Sequence, residues 1–451
     1  MPHEQSTDVK TDPAKPDLTK RRLSFLPILG ILYFSTSGGP FGMEDIASGG
    51  PAGALVLLVV TPLVWSLPVA LVSAELGSML PVEGGYYRWV SFAMGRFMGF
   101  QMGWWNWLNS FLDMALYPVL FVKALHLFLP ELTRGQQWSI SLGVILSSLV
   151  VNLLGVKSVG RSALVAFVVV NLPFVLLVVL GLPMMTFSNW SLVLWPDGHA
   201  SREVIGLALS VAIWSYSGWE CISTIAGEVK DPSRTVPLAT LAAVPLVALT
   251  YLLPLGVALG ASDWKTWSSE THTIAQIAGE IVAPWLGSWI SLAIMASSWS
   301  MYNSQLLSNS RLPFAMAEDG LLPGWISRLH TTRQTPDRAL ILCSAIYSLF
   351  ALAGFRELVI VDALLIGMTA LLLITTLAVL RCKRPDLPRQ FKLPGGWPGV
   401  WLAGTSLATC VIALVYYTIV ASHDTWKQAT IAGGLLATGP VAYFLRNRGT
   451  F

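Results

Sequence analysis

The stretch STSGGPFGMED, residues 35–45, interrupts the first long apolar segment of this 451-residue chain. Its three glycines and one proline disfavour a continuous helix, and two acidic residues follow directly. A helix running only from Leu23 to Thr36 would be about 21 Å long, too short to cross a hydrocarbon core of about 30 Å. Continued through the break to Gly49, the segment is long enough. We therefore predict a membrane-spanning helix that is unwound in its middle; the alternative is a short interfacial helix followed by a loop.

The composition of the whole chain indicates a membrane protein. Hydrophobic residues make up 54% of the sequence and charged residues 12%, about half the charged share of a soluble domain. The apolar pattern predicts an all-α polytopic fold with twelve transmembrane helices. The predicted spans are residues 23–49, 53–80, 99–129, 137–155, 162–183, 203–227, 236–260, 280–311, 339–355, 358–381, 398–420 and 428–445.

The lysines and arginines predict how these spans are oriented. Of the 28 basic residues, 22 fall in the two tails and in alternate loops, and six fall on the other side. By the positive-inside rule both termini are cytoplasmic, and we expect a multi-pass protein of the cell membrane. Residues 1–22 are polar and contain prolines, so they are predicted to form a disordered cytoplasmic tail rather than a signal peptide.

The sixth predicted span contains a second break. In AIWSYSGWECISTIAGE, residues 212–228, Gly218 is flanked by serines and tryptophans, and Glu220 follows. Alone this pattern is weak, because membrane helices tolerate single glycines and serines. However, the two breaks fall in the first helix of each of two five-helix halves. Interrupted spans at corresponding positions indicate a transporter built from inverted repeats.

Several longer motifs resemble those of a known family. The motifs are SGGPFG (37–42), AELGSMLPVEGGYYRWV (74–90), WSYSGWE (214–220), GEVKDPSRTVP (227–237) and SRLPFAMAEDGLLP (310–323). They are similar to signatures of the amino acid–polyamine–organocation superfamily. The stretches TSGGPFGMED and FLDMALYPVLF (111–121) most resemble its polyamine-uptake transporters, which are related to the L-type amino acid transporter-like permeases.

This resemblance implies a particular architecture and site. It implies a LeuT-like 5+5 inverted repeat, formed by residues 23–183 and 203–381, with two additional transmembrane helices at 398–445. It also implies that substrate binds between the unwound parts of the first and sixth spans. One departure is notable: Asn171 stands where many amino-acid members carry a lysine in the fifth span. The lysine-based coupling mechanism is then absent, and the pocket lacks a cation that would repel polyamines.

Acidic residues inside the predicted spans point to a cationic substrate. They are Glu44, Asp45, Glu75, Asp113, Glu220 and Asp362. No lysine or arginine lies near the centre of a span, and all six histidines lie in tails, loops or helix ends. Because an intramembrane carboxylate is costly unless it is paired, protonated or hydrated, a cationic substrate or a proton is the natural counter-charge.

Glu220 and Asp113 are the leading candidates among these acids. Glu220 follows the sixth-span break and has Trp214, Tyr216 and Trp219 nearby, a combination that suits an ammonium group held by a carboxylate and aromatic faces. The alternative is that Glu220 is a structural partner of backbone amides. Asp113 lies near the middle of the third span and is interpreted as a distal amine or proton site.

The other acids have stronger structural alternatives. Glu44 and Asp45 begin the half-helix after the first break, so they either bind substrate or protons or cap that helix. Glu75 lies near the cytoplasmic end, where a structural role is favoured. Asp362 is placed about one turn from the outer end of its helix and is expected only to snorkel toward the interface.

We therefore predict a secondary active transporter of polyamines or related cationic amines that works by alternating access, through proton-coupled uptake or exchange. The alternative is a permease or antiporter for neutral or cationic L-amino acids. The candidate substrate-binding residues are Ser37, Gly38, Gly39, Phe41, Gly42, Glu44, Asp113, Trp214, Tyr216, Gly218, Trp219 and Glu220. Among them Glu44, Asp113 and Glu220 are the candidates for proton coupling.

Other functional classes receive little support from the sequence. There is no HExxH motif and no histidine within a span to serve as a base, so an enzyme is not expected. The four cysteines are scattered without a CxxC pair, which predicts neither a disulfide framework nor a metal site. No cofactor, nucleic acid or obligate protein partner is expected; the predicted partners are the substrate, protons and the lipid bilayer.

Overall fold

The computed structural model describes residues 23–47, 50–186, 200–267, 272–351, 355–420 and 426–447. Within these ranges the chain forms helices and loops, with one isolated β-bridge between Leu23 and Val229. Seven helices there are long and apolar enough to cross a membrane, and Phe25–Thr36 and Val204–Ser215 are shorter apolar helices. The predicted tail, residues 1–22, lies outside the described residues. The predicted all-α fold is confirmed.

Twelve spans can be followed through the described residues. They are Phe25–Thr36 with Glu44–Ala47, Pro51–Met79, Arg96–Leu125, Arg134–Leu153, Val156–Gly181, Ala200–Ser215 with Cys221–Glu228, Pro232–Ala261, Pro284–Asn309, Asp337–Phe350, Phe355–Lys383, Gly396–Val415 and Trp426–Asn447. Three shorter helices, Gly85–Met94, Ile274–Ile281 and Arg311–Glu318, connect them. The largest boundary error is at the fifth span, which was predicted from residue 162 and begins at Val156, because its polar first turns extend beyond the apolar run.

Both predicted interruptions are present. The first span is helical to Thr36 and resumes at Glu44, and the sixth is α-helical to Ser215 and continues as a 3₁₀-helix from Cys221 to Glu228. Each break depends on glycine: Gly39 and Gly42 have φ of 118° and 73°, and Gly218 has φ of 107°. These backbone conformations are strained for residues with a Cβ atom.

The two breaks touch each other in the middle of the bundle. A Cβ atom placed on Gly218 would lie 2.3 Å from the carbonyl oxygen of Ser35 and 3.5 Å from the Cα atom of Thr36. Only a residue without a side chain allows the two backbones to approach this closely. The glycine that was expected to unwind the sixth span therefore also brings the two interrupted helices into contact.

One end of the bundle, which we call the basic end, is held by backbone contacts of Leu23, just before the first helix, and by nearby ion pairs. Leu23 donates its N–H to the Glu228 carbonyl at 3.1 Å and accepts from the Lys230 N–H at 2.9 Å. The Arg311 Nε donates to the Glu228 carboxylate at 2.9 Å, and Arg88 pairs with Glu318 at 3.0 Å. These contacts tie the first and sixth spans to the helix Arg311–Glu318 and its neighbour Gly85–Met94.

Glu75 has a structural environment at the basic end. Its carboxylate is fully buried, accepts a hydrogen bond from Arg381 Nε at 2.9 Å and from the Leu393 N–H at 2.7 Å, and lies 3.4 Å from Arg389. Two guanidinium groups therefore compensate the buried charge. This pairing fastens the second span to the tenth span and to the loop that follows it, in line with the structural role favoured from sequence.

The expectation for Asp362 is wrong. Instead of snorkelling toward the interface, Asp362 has a relative exposure of 0%. The tenth span packs against the second, third, sixth, eleventh and twelfth spans and against the helix Gly85–Met94. Because neighbouring helices surround it, a short aspartate side chain has no path to the outer surface.

Candidate functional site: the central cavity

A cavity with about 530 Å³ of empty space lies beside the two breaks. Its walls come from the end of the first helix, the third span, the sixth span at its break, the eighth span, the tenth span and the helix Gly85–Met94. The residues that line it are Ser35, Thr36, Tyr86, Asn106, Asn109, Ser110, Asp113, Tyr117, Trp214, Ser217, Gly218, Glu220, Cys221, Met301, Gln305, Asn309 and Ile366. This lining is mostly polar, which is unusual for the interior of an apolar bundle.

The third span supplies one polar wall. Asn106, Asn109, Ser110, Asp113 and Tyr117 all line the cavity. Their spacing of three, four, seven and eleven residues from the first to the others places them on one face of a helix. Asp113 is the one charged residue of this stripe, so charge identifies it from sequence, whereas the other four are marked only by their polar periodicity.

Asp113 is surrounded by neutral hydrogen-bond donors. The Tyr117 hydroxyl donates to its two carboxylate oxygens at 2.8 and 2.9 Å. The indole Nε1 of Trp214 donates to Oδ1 at 3.1 Å, and the amide of Gln305 lies 3.5 Å from Oδ2. These donors stabilise a carboxylate but carry no positive charge, so the negative charge of Asp113 is available to a cationic ligand.

Glu220 faces the same cavity from the sixth-span break. Its side chain is partly accessible and lines the cavity. No other described side chain forms a hydrogen bond or ion pair with its carboxylate, which interacts with the backbone N–H of Glu220 itself. The Glu220 backbone carbonyl accepts from the Ser223 hydroxyl at 2.6 Å. Glu220 is close enough to Asp113 for their charges to interact. The cavity thus presents two carboxylates on different walls.

Protein side chains satisfy several carbonyl groups that the breaks release. Gln305 donates to Ser35 O at 3.0 Å and the Ser297 hydroxyl to Gly38 O. In the sixth span, the Tyr251 hydroxyl donates to Ser215 O at 2.9 Å and the Ser66 hydroxyl to Tyr216 O at 3.1 Å. These partners from other spans hold the unwound segments in place without a ligand.

Four of the predicted site residues line the central cavity: Asp113, Trp214, Gly218 and Glu220. Tyr216 and Trp219 are fully buried beside it. The Tyr216 hydroxyl donates to Leu58 O at 3.0 Å, and the Trp219 indole donates to Tyr216 O at 2.7 Å. These two aromatic residues stabilise the unwound segment on the side away from the cavity, because their polar atoms donate to backbone carbonyls.

The predicted residues of the first break lie next to the cavity rather than in its lining. Ser37 is fully buried, and its hydroxyl accepts from the Gly39 N–H at 3.3 Å. Gly38 packs against Ser297 and Met301 of the eighth span, where an added Cβ atom would lie 2.3 and 2.4 Å from their side chains. The glycines therefore shape the break, and the two residues before it, Ser35 and Thr36, face the cavity.

Phe41, Gly42 and Glu44 line a second cavity, toward the end of the bundle opposite the basic end, with about 680 Å³ of empty space. Lys123 also lines it. The Glu44 carboxylate accepts from the Ile274 N–H at 2.8 Å, so it caps the helix Ile274–Ile281. Glu44 thus lies near a basic residue and a helix N-terminus, whereas the groups around Asp113 are neutral donors. The side chain of Asp45 lies outside the described part of the structure.

Sequence reasoning missed other lining residues, chiefly Tyr86, Gln305 and Asn309. Gln305 and Asn309 are four residues apart on the eighth span, a spacing that places both on one helix face. Tyr86 comes from the helix Gly85–Met94, which closes the cavity toward the basic end. Nothing in the local sequence connects that helix to the cavity. Gly85 allows the helix to pack closely against the sixth span, since an added Cβ atom would lie 2.0 Å from the Ser223 hydroxyl.

Asn171 lies beside the first span. The Tyr33 hydroxyl donates to its side-chain oxygen at 3.0 Å, and its amide donates to Phe167 O at 2.9 Å. A neutral amide thus contacts the first span four residues before Ser37, where the resemblance implied a lysine in other members.

Two interrupted helices that meet at a polar cavity inside a bundle of membrane spans define a transporter with a LeuT-like fold. The crystal structure of MhsT in complex with L-phenylalanine superposes with a TM-score of 0.64 at 14% sequence identity, covering 89% of this chain and 99% of that one. The predicted fold is therefore confirmed; the residue boundaries of the two repeats remain predictions.

The family is shown by sequence. The amino acid permease family profile matches residues 23–438. The chain is 33% identical over 442 residues to the polyamine transporter RMV1 of Arabidopsis thaliana, covering 96% of this chain and 87% of that protein. It is 33% identical over 427 residues to the polyamine transporter PUT1 of Oryza sativa subsp. japonica, covering 93% and 77%. The chain belongs to the amino acid permease family and is a membrane transporter, not an enzyme.

Proposed function

We propose that this protein is a secondary active transporter of polyamines or related cationic amines. One observation carries the proposal: Asp113 and Glu220 face a cavity whose lining, in the described part of the chain, contains no lysine, arginine or histidine. Two carboxylates without a basic partner favour a ligand with more than one positive charge, because each ammonium group would restore neutrality at one carboxylate.

The cavity has the chemistry to hold a linear diamine. One ammonium group would bind Asp113 and the other Glu220. The rings of Tyr117 and Trp214, stacked at a centroid distance of 6.4 Å, provide aromatic faces beside Asp113, which stabilise a desolvated cation. The side chains of Met301 and Ile366 supply apolar surface for the methylene chain.

The names of the related proteins support the same substrate class. Both relatives at 33% identity, from Arabidopsis and rice, are polyamine transporters.

An amino acid is the second candidate substrate. Its ammonium group could bind Asp113 or Glu220, but its carboxylate would then enter a cavity that already contains two carboxylates. A cationic side chain to compensate it is missing from the described lining. The electrostatics therefore favour an amine.

We further propose that transport proceeds by alternating access in the cell membrane, with the basic end and both termini in the cytoplasm. The distribution of lysine and arginine supports this orientation. The carboxylates in the cavity provide groups through which uptake could be coupled to a proton gradient. Of the three residues considered for this role from sequence, Asp113 and Glu220 line the central cavity and Glu44 caps a helix near the opposite end.

Uptake into proteoliposomes tests the proposed function. The purified full chain would be compared with protein-free liposomes for uptake of labelled putrescine, spermidine and a panel of L-amino acids, with and without an inward proton gradient. We expect saturable uptake of putrescine and of spermidine, and we expect each amine to inhibit uptake of the other. Saturable uptake of a neutral amino acid that polyamines do not inhibit would overturn the proposal.

A further inference from the structure

Asp362 of the tenth span is a buried acid that the binding site described above does not use. It has 0% relative exposure, and neither of its carboxylate oxygens has a hydrogen-bond partner among the described residues. Ile366, four residues further along the same helix, lines the central cavity. Residues four apart lie on one helix face, so Asp362 is on the face that the tenth span turns toward the cavity.

The surroundings of Asp362 contain no compensating positive charge in the described part of the chain. They include the amide of Asn109 and the carboxylates of Asp113 and Glu220. The hydroxyl of Tyr117 and the thiol of Cys221 are also within electrostatic range. None of these groups carries a positive charge, and the carboxylates of Asp113 and Glu220 would repel an ionised Asp362.

Within the described residues, the other packed elements add no positive charge beside Asp362. The eleventh span carries the thiol of Cys410, and the basic residues of the twelfth span, Lys427 and Arg446, lie at its two ends. The second span contributes Glu75, whose charge is taken up by Arg381 and Arg389 at the basic end. The helix Gly85–Met94 contributes Tyr86, a neutral group in the cavity lining, and Arg88, which pairs with Glu318 and Asp319.

Asp113 and Asp362 are both buried aspartates near the central cavity, but their hydrogen-bonding surroundings differ. Asp113 accepts hydrogen bonds from Tyr117 and Trp214, which stabilise its ionised form. Asp362 accepts no hydrogen bond from the described residues, and the amide of Asn109 is the one donor group in its surroundings. Two buried carboxylates with such different hydrogen-bonding surroundings fit a division of roles in which one binds a cation and the other carries a proton.

We propose that Asp362 binds the proton that this transporter moves during its cycle, a role that rests on the proposed amine transport. The buried position described here holds the protonated, neutral acid. Release requires the tenth span to move so that Asp362 contacts water of the cavity, where the carboxyl group gives its proton to water and becomes negatively charged. Uptake of a proton from the other side reverses the change, and no other bond is made or broken.

The test measures amine and proton movement together. Proteoliposomes containing the full chain and a trapped pH-sensitive dye would receive labelled putrescine, and both lumenal label and lumenal pH would be followed. Asp362→Asn keeps the shape of the neutral acid but cannot titrate. Asp362→Ser is a second uncharged variant, and Glu131→Gln, at an exposed position, is the matched control.

We expect wild type and Glu131→Gln to show a putrescine-dependent change in lumenal pH. The Asp362 variants should still bind putrescine and exchange it against putrescine trapped inside, but the proton signal per amine should fall at least tenfold, and net uptake should lose its dependence on pH. An unchanged proton signal in Asp362→Asn would overturn the inference, as would putrescine uptake by wild type without any proton movement. Absence of putrescine uptake by wild type would instead contradict the proposed function.

Discussion

The indole Nε1 of Trp214 donates a hydrogen bond to Oδ1 of Asp113 at 3.1 Å, joining the sixth span to the middle of the third. The bond lies one residue before the sixth span unwinds, since the helix ends at Ser215. A change in the position of the unwound segment would therefore alter the hydrogen bond that Trp214 donates to the Asp113 carboxylate. The proposed cation site and the unwound part of the helix are in this way directly connected.

The first prediction concerns this pair. Asp113→Asn removes a charge that the neutral donors around it cannot replace. A hydrogen bond to a charged group contributes about 1.5–3 kcal/mol, so we expect KM for putrescine to rise about 10- to 100-fold. Trp214→Phe should raise KM less, because it removes one neutral donor and keeps the aromatic face.

A double-mutant cycle checks that the two residues act together. In the double variant the effects should be less than additive, since removing the carboxylate already removes the partner of the indole. Uptake kinetics in proteoliposomes provide the values. Strict additivity would show that the Trp214–Asp113 bond does not contribute to amine binding.

The second prediction concerns Glu220. Glu220→Gln should abolish putrescine transport while leaving expression and the thermal transition in detergent close to wild type, because no described contact of the bundle depends on this carboxylate. Transport assays and differential scanning fluorimetry on the same preparation measure the two properties. Wild-type uptake by Glu220→Gln would remove Glu220 from the site.

The third prediction concerns the contact between the two breaks. Gly218→Ala should prevent transport and lower stability, because φ of 107° is strained for alanine and the added Cβ atom would lie 2.3 Å from Ser35 O. Gly256→Ala is the matched control: it lies within a helix, and nothing is within 4 Å of its added Cβ atom. Equal behaviour of the two variants in thermal unfolding and uptake would contradict the close approach of the breaks.

The fourth prediction separates a cap from a binding residue at Glu44. Glu44→Ala should destabilise the protein by about 0.5–2 kcal/mol, the usual effect of losing an acceptor at a helix N-terminus. Glu44→Gln should retain much of the stability, since its amide oxygen can still accept from the Ile274 N–H. Neither change should alter KM for putrescine; a large rise in KM for Glu44→Gln at normal stability would instead place Glu44 on the substrate path.

The fifth prediction concerns pH and Glu83, in the loop after the second span. Burial raises the pKa of Glu83 above its ordinary value, and the nearby Arg311 only partly opposes this effect. The folded protein therefore binds this proton more tightly than the unfolded chain does. The resulting stabilisation is complete below the ordinary pKa of a glutamate and is lost as pH rises through the raised pKa.

Glu83→Gln should accordingly become more stable relative to wild type as pH increases, because it cannot acquire the unfavourable buried charge. Thermal unfolding in detergent across a pH series measures the difference. Glu131→Gln, at an exposed position, should show no such trend. A stability difference for Glu83→Gln that does not vary with pH would show that its charge is not the cause.

The sequence predicted the elements that depend on local chemistry. Apolar runs and the placement of lysine and arginine predicted the spans. The glycines at 39, 42 and 218 predicted the breaks, because positive φ is a local requirement. The charges of Asp113 and Glu220 were likewise sufficient to select them as candidates. The failure at Asp362 has a physical cause: local sequence does not show which neighbouring helix covers a residue. For the same reason it did not show that Ser35 and Thr36 line the cavity.

By itself, then, the sequence determined a twelve-span helical transporter with two interrupted helices and an acidic interior, since apolar length, backbone freedom and charge act along the chain. Tertiary packing decided which polar groups meet. Because of this packing, Ser35 and Thr36 line the cavity and Ser37 does not. The polar atoms of Tyr216 and Trp219 donate to backbone carbonyls, and Glu44 caps the helix Ile274–Ile281. It also left Asp362 buried without a donor, because hydrogen bonds and burial depend on contacts between residues far apart in the chain.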